Sequence, residues 1–266
     1  LRRHTRLVGP GLIAASLVGA WLMGAQPEPR QVHLGRSAEG RPIDAYTVGQ
    51  GPVAVIIVGG IHGAVELNSS ALVWELLDVF AADPHALPAG LQLVFVPEAN
   101  PDGIAHGTRE LADGVDANRN WPTADWAPST YAPGGSWLPD GGGDEPLSEP
   151  ETIALAEFIA RVQPVAVLSY HSAAGIAMGG PAAERSGLLE AYAAASGYPS
   201  RTFLAYAVTG DFAQWLDEQD IPTVEVELTD HWLSELERNL AGVEAVVDRI
   251  VFGPPANRPA ESNQSY

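Results

Sequence analysis

Four short apolar runs constrain the fold of this chain more than any other feature. They span residues 53–59, 91–96, 165–169 and 223–228, and the first three consist mostly of aliphatic and β-branched residues. Such continuous runs are typical of strands that are buried on both faces of a parallel sheet. Segments with helical spacing lie between them, and this alternation predicts an α/β sandwich around a largely parallel sheet.

Three segments show the helical spacing most clearly. Apolar positions in residues 66–82 recur every three or four residues, and the pattern ends before Asp83-Pro84. Ser148 is expected to cap a helix that opens with acids around Pro150 and runs to about residue 162. Residues 233–250 have the pattern of a final amphipathic helix.

Residues 100–146 break this regularity. They are rich in Gly, Pro, Asp and Trp and show no apolar periodicity. A stretch of this length without periodicity is unusual inside a compact domain and is often functional.

The two ends of the chain differ from the middle. Arg2, Arg3 and Arg6 precede an apolar run over residues 7–25, which predicts a secretory signal peptide or an N-terminal membrane anchor. Residues 254–266 lack apolar periodicity and are expected to form a disordered tail. Residues 26–253 are then expected to form a single folded domain. The protein is expected to be exported, either released or attached to the membrane by its N-terminus.

Composition excludes several classes of function. With 14 basic and 33 acidic residues the formal net charge is −19, which is unfavourable for nucleic-acid binding. The chain has no Cys, so any metal must be held by His, Asp or Glu, and a thiol nucleophile is excluded. No Gly-x-Ser-x-Gly elbow occurs, which argues against a serine hydrolase.

Several chemically versatile side chains lie where the predicted strands end. His62 follows the first strand, Glu66 opens the next helix, His171 lies just past the third strand, and Glu227 ends the fourth. Two His and one Glu are a ligand set of hydrolytic zinc, and a further carboxylate can take a proton from water. The alternative is that each His is an ordinary hydrogen-bonded residue, and that Glu227 is a surface acid on the same strand face as Glu225.

The irregular segment adds a second signal. It contains Arg109 and places Asn118 next to Arg119. A guanidinium beside an amide suits the binding of a carboxylate. The alternative is that these arginines form ordinary surface ion pairs in an acidic protein.

In these segments the chain resembles the zinc carboxypeptidases, the carboxypeptidase A-like metallopeptidases. The resemblance covers roughly residues 33–250 and is carried, in order, by GGIHG, NPDG, VDANRNWP, LSEPET, SYHS and VEVELTD. It implies a three-layer α/β/α sandwich with a mixed, mostly parallel sheet of about eight strands.

The resemblance also implies a role for each matching residue. His62, Glu66 and His171 match the ligands of a single zinc ion. Glu227, followed by Leu228 as in the family, matches the general base. Arg109 resembles the arginine that stabilises the oxyanion of the scissile carbonyl.

Further matches concern substrate binding. Asn118 and Arg119 match the pair that binds the substrate's terminal carboxylate, and Asp116 resembles the acid that orients a zinc-binding histidine. Tyr206 resembles the family's mobile tyrosine, which closes over that carboxylate.

Two positions bear on side-chain selectivity. The family's specificity position, two before Trp215, is Ala213 here, which implies no charge selection at that point. The nearby Asp211 could instead favour a basic or amino-bearing side chain.

One feature departs from the common family pattern. Three residues separate His62 from Glu66, where the family motif has two. Residues i and i+4 of a helical turn share a face, so Glu66 can still reach the metal.

The resemblance implies an exported zinc-dependent carboxypeptidase acting on peptides with a free C-terminal carboxylate. The alternatives are a murein peptide amidase that cuts next to diaminopimelate, an N-acyl amino acid deacylase, and a non-catalytic binding module with the same fold.

Overall fold

The computed structural model describes residues 28–83, 87–132, 134–201 and 207–253. The predicted signal or anchor, the predicted tail and Tyr206 lie outside these ranges. Within them, no helix combines the length and apolar character needed to cross a membrane.

The described chain alternates strands and helices, as the apolar runs predict. The strands are β1 (Arg30–Arg36), β2 (Pro42–Gly49), β3 (Val53–Val58), β4 (Leu91–Val96), β5 (Thr130–Tyr131), β6 (Trp137–Leu138), β7 (Ala166–Ser172), β8 (Ile176–Gly179) and β9 (Thr223–Leu228). The helices are α1 (Leu67–Ala82), α2 (Pro101–His106), α3 (Pro150–Val162), α4 (Pro181–Ser186), α5 (Leu188–Ser196), α6 (Phe212–Glu218) and α7 (Leu236–Phe252), with a 3-10 helix at Gly63–Glu66.

The main sheet is mixed and has seven strands in the described chain, in the order β1-β2-β4-β3-β7-β9-β8. Its four central strands, β4, β3, β7 and β9, are parallel, whereas β1, β2 and β8 pair in the antiparallel sense. This agrees with the expected mixed, mostly parallel sheet of about eight strands. The remaining strands, β5 and β6, form a separate two-stranded sheet in the irregular segment.

Both faces of the sheet are covered, which confirms the sandwich. On β3, Val55 and Ile57 belong to an apolar cluster with α1, α5 and α7, while Ile56 and Val58 belong to a second cluster with α3 and α6. Successive side chains of a strand point to opposite faces, so one strand contributes to both clusters. The run of residues 53–59 is apolar throughout because neither face meets water.

Three element boundaries differ from the sequence prediction. The N-cap of α3 is Glu149 rather than Ser148, whose hydroxyl donates to the Glu149 carboxylate at 2.6 Å. Helix α7 begins at Leu236, because the Asp230 carboxylate accepts the backbone N–H groups of Trp232 and Leu233 and holds a turn there. Strand β7 extends to Ser172, since its pairing with β9 continues to the end of both strands.

The carboxyl ends of the parallel strands meet at one edge of the sheet. His62 follows β3 there. His171 is the second-last residue of β7, and Glu227 is its partner on the neighbouring strand β9. Ligands of open α/β sheets bind at this edge. The long segment between α2 and α3 also returns to it, bringing Arg109 and Asn118 into the same cavity.

Candidate metal centre and active site

The three predicted metal ligands converge in the structure. His62 Nδ1 lies 2.8 Å from Glu66 Oε1, and His171 Nδ1 lies 3.2 Å from Glu66 Oε2. The two Nδ1 atoms are 3.1 Å apart. All three residues are buried, and one donor atom from each falls within 4.8 Å of the others.

The extra residue between His62 and Glu66 is accommodated by local backbone geometry. Residues Gly63–Glu66 form a 3-10 helix, which turns more tightly than an α-helix. Gly63 has a φ of +50° and starts this turn. Glu66 is thereby folded back against His62, and the backbone N–H of Ser172 donates to its Oε2 at 3.1 Å.

The donor set suits a zinc ion. Burial opposes ionisation of Glu66, but the imidazoles of His62 and His171 outweigh it and hold the pKa of this carboxyl well below its usual range. The site therefore offers an anionic carboxylate and two imidazole nitrogens, a donor set that zinc binds in hydrolases.

Each histidine ligand is oriented through its other ring nitrogen. His62 Nε2 lies 3.3 Å from Asp116 Oδ1, as the resemblance implies. His171 Nε2 lies 3.1 Å from the hydroxyl of Ser169, a contact that the sequence analysis missed. Ser169 is two residues before His171 on β7, so strand alternation could have placed both on one face. Such contacts fix the orientation of a metal-binding imidazole.

Arg109 lies directly on this cluster. Its Nε donates to Asp116 Oδ2 at 3.1 Å, Nη1 donates to Glu66 Oε1 at 3.0 Å, and Nη2 lies 2.7 Å from His62 Nε2. Burial raises the pKa of Asp116, but Arg109 and His62 outweigh this and hold it well below its usual range. A guanidinium thus lies beside the candidate metal site, inside a buried acidic environment.

Glu227 lines the same cavity. It is paired in register with His171 on the neighbouring strand. Burial, together with the nearby carboxylate of Glu66, raises the pKa of Glu227 above its ordinary value. A carboxyl with a raised pKa is better matched to taking up a proton near neutral pH.

The predicted carboxylate-binding pair lies on another wall of the cavity. Asn118 Nδ2 donates to Asp211 Oδ2 at 2.9 Å, and Asn118 Oδ1 accepts the backbone N–H of Phe212 at 3.0 Å. Arg119 Nη1 donates to the backbone carbonyl of Asn118 at 2.6 Å. Asp211 also caps α6 by accepting the backbone N–H of Gln214 at 2.9 Å.

One cavity of about 1620 Å³ brings most of the predicted site together. Its lining includes the predicted residues His62, Glu66, Arg109, Asn118, Arg119, His171, Asp211, Ala213 and Glu227, while Asp116 is fully buried behind them. Glu225 and His231 are among the lining residues that were not predicted from the sequence. His231 Nδ1 lies 2.9 Å from the hydroxyl of Ser172.

The structure is a three-layer α/β/α sandwich, and a buried set of possible metal ligands lies at the carboxyl edge of its sheet. These two features define the class of the protein as a metal-dependent hydrolase. Comparison with known proteins narrows this class. The chain belongs to the zinc carboxypeptidase family, whose model matches residues 22–226. The family is zinc-dependent and its members are peptide hydrolases, so the predicted family and enzyme class are confirmed.

The relatives include short bacterial enzymes. The chain is 33% identical to murein peptide amidase A of Escherichia coli strain K12 over 214 residues, which cover 77% of this chain and 83% of the relative. Among solved structures, murein-tripeptide amidase MpaA from Escherichia coli O157 is 29% identical with a TM-score of 0.65, and 88% of this chain matches 96% of that one.

A more distant match supports the fold alone. Bovine thrombin-activatable fibrinolysis inhibitor, solved with tick carboxypeptidase inhibitor, has a TM-score of 0.74 at 20% identity. The match covers 86% of this chain and 92% of that one.

Proposed function

We propose that this protein hydrolyses the amide bond that joins a C-terminal residue, with its free carboxylate, to the rest of a peptide. The observation that carries the proposal is the position of Glu227. It lies in the cavity opposite His171, and burial raises its pKa. A carboxyl there can act on a water molecule next to the buried ligand set.

Each residue of the site has a task in this reaction. Zinc, when held by His62, Glu66 and His171, supplies a Lewis acid that polarises a carbonyl and lowers the pKa of water. Glu227 takes a proton from the water as its oxygen attacks the carbonyl carbon, and returns it to the amine nitrogen as the C–N bond breaks. Arg109 donates hydrogen bonds to the carbonyl oxygen as that oxygen gains negative charge.

Asn118 and Arg119, which line another wall of the cavity, position the substrate. Arg119 and Asn118 bind the terminal carboxylate, so binding energy remote from the scissile bond positions the amide for attack. The bond from Asn118 to Asp211 fixes the amide side chain for this task. Because the chain is strongly acidic, this local guanidinium has to overcome the repulsion of an anionic substrate.

Two substrate classes are supported equally. The family description favours ordinary peptides, which would make the protein a carboxypeptidase. The relatives called murein peptide amidases favour cell-wall peptides that contain diaminopimelate. Export, proposed from the charged and apolar pattern of residues 1–25, would place the protein beside either substrate.

A product assay by mass spectrometry separates these possibilities. The zinc-loaded protein would be offered ordinary peptides, cell-wall peptides ending in diaminopimelate, and N-acyl amino acids, each with and without a chelator. Chelator-sensitive loss of one C-terminal residue from ordinary peptides establishes a carboxypeptidase, and cleavage confined to cell-wall peptides establishes a murein amidase. Cleavage of the N-acyl amino acids alone, or of nothing, overturns the peptidase proposal.

Export has its own test. Cells producing the full chain would be treated with an external protease before and after disruption of the outer layers. Degradation before lysis of the cytoplasm supports export, and complete protection until lysis overturns it.

A further inference from the structure

A second acid, Glu225, lies in the cavity beside the proposed general base. It is two residues before Glu227 on β9, so both side chains point to the same face, with Cα atoms about 6.6 Å apart. Glu225 pairs in register with Ser169 on β7 and with Met178 on β8. It therefore lies further along the cavity wall than the reacting centre, away from the carboxyl end of the strand.

The carboxylate of Glu225 differs from that of Asp211 in its bonding. Both oxygens of Asp211 accept hydrogen bonds, from the Asn118 side chain and from the backbone of Gln214. No hydrogen bond to the Glu225 carboxylate occurs among residues 28–83, 87–132, 134–201 and 207–253. Burial, and then the charge of Asp211, raise the pKa of Glu225 to about 8.

Within the described part of the chain, this carboxylate has unused bonding capacity. Burying a carboxyl without a hydrogen-bond partner is unfavourable, and a cation placed next to it relieves both the desolvation and the repulsion from neighbouring acids. Glu225 lines the same cavity as His171 and Arg119. The cavity that holds the candidate metal centre and the arginine proposed to bind the terminal carboxylate therefore also contains this acid.

We propose that Glu225 is a specificity-determining residue that binds a positively charged amino group on the side chain of the substrate's C-terminal residue. This inference rests on the proposed function. A residue held by its carboxylate at Arg119, with its amide at the metal centre, has its side chain directed into the space that Glu225 lines. Lysine and diaminopimelate have an amino group on such a chain, whereas neutral side chains offer this acid no cation.

The test compares substrates that differ only in that amino group. Peptides ending in lysine are paired with peptides ending in norleucine, and those ending in diaminopimelate with those ending in 2-aminopimelate. The variant is Glu225→Gln, which keeps the shape of the side chain and removes its charge. The matched control is Glu184→Gln, because Glu184 also lines the cavity but is exposed.

The measured quantity is the ratio of kcat/KM for the amino-bearing substrate to that for its neutral partner. A charged hydrogen bond is worth about tenfold or more in this ratio. We expect Glu225→Gln to lower the ratio by about that factor and Glu184→Gln to leave it unchanged. An unchanged ratio in Glu225→Gln overturns the inference, and so does an equal loss in the control.

A binding measurement separates failure of this inference from failure of the proposed function. Free lysine and norleucine, as products, would be titrated into the zinc-loaded wild type and Glu225→Gln by calorimetry. Tighter binding of lysine by the wild type, lost in the variant, supports the inference even if no peptide is cleaved. Equal binding of the two amino acids by the wild type overturns it. Loss of the lysine preference in Asp211→Asn but not in Glu225→Gln assigns the selectivity to Asp211 instead and also overturns it.

Discussion

Replacement of Gly63 by alanine tests the geometry that joins the first two metal ligands. Gly63 has a φ of +50°, where an L-residue is strained by about 1–2 kcal/mol. A Cβ there would overlap the carbonyl oxygen of Thr108 and would lie 2.7 Å from the carbonyl carbon of Gly103. That Thr108 oxygen accepts the backbone N–H of Ala64 at 3.1 Å, so relieving the overlap moves the turn itself.

The size of the effect follows from two contributions. Overpacking against rigid backbone adds about 1–3 kcal/mol to the conformational strain, for a total loss of about 2–5 kcal/mol in the free energy of unfolding. Since the turn connects His62 to Glu66, its displacement also separates the ligand atoms. We therefore expect Gly63→Ala to weaken zinc binding as well as the fold.

A second glycine provides the control. Gly107 also has a positive φ, +76°, but a Cβ there meets nothing within 4 Å. Gly107→Ala should show the conformational strain alone, about 1–2 kcal/mol, with unchanged zinc affinity. Urea unfolding of the metal-free proteins measures the stability, and competition with a chromophoric chelator measures zinc affinity. Equal stability loss in the two variants, or normal zinc affinity in Gly63→Ala, would refute the reasoning.

Three further predictions concern single side chains. Glu227→Ala should retain zinc, measured by metal analysis, and lose about 100-fold or more in kcat, and near-normal turnover would remove it as the base. His171→Ala should lose both zinc and turnover, and a variant that keeps a full equivalent of zinc would contradict its assignment. Burial and a hydrogen bond with Asp113 raise the pKa of Glu149 from 4.5 to about 7. The folded state therefore holds more protons than the unfolded state between these values, and stability falls as pH rises through them. Glu149→Gln should remove this fall, about 1–2 kcal/mol after allowance for solvent screening, and an unchanged pH profile of urea unfolding would contradict it.

The central sheet could be predicted because burial on both faces leaves a continuous apolar run. The runs at residues 53–59 and 91–96 became β3 and β4 almost unchanged. Where a predicted boundary differed from the structure, as at the end of β7, pairing between distant segments set the observed boundary. β7 continues to Ser172 because β9 provides partners for its last residues, and nothing near residue 170 in the sequence contains that information.

The candidate site was also predictable only in part, because some of its contacts join residues that no local pattern connects. His62, Glu66 and His171 could be selected because they follow strands whose carboxyl ends meet, and the structure brings them together. The hydroxyl of Ser169, which contacts the back of His171, belongs to a residue type too common to stand out in a sequence. Only the structure shows that its position two residues before the ligand places it on the same face.

The selectivity of the cavity depends most on contacts that no local pattern contains. Asp211 attracted attention because it lies near the family's specificity position, but the amide of Asn118, 93 residues away, occupies one of its oxygens. Glu225 was visible as a neighbour of Glu227 on one strand face, yet only the structure shows that its carboxylate accepts no hydrogen bond from the described residues. Sequence spacing can therefore place an acid in a cavity. Whether that acid supports the fold or remains available for a substrate is decided by partners far away in the chain, and it is the unpartnered acid that can discriminate between substrates.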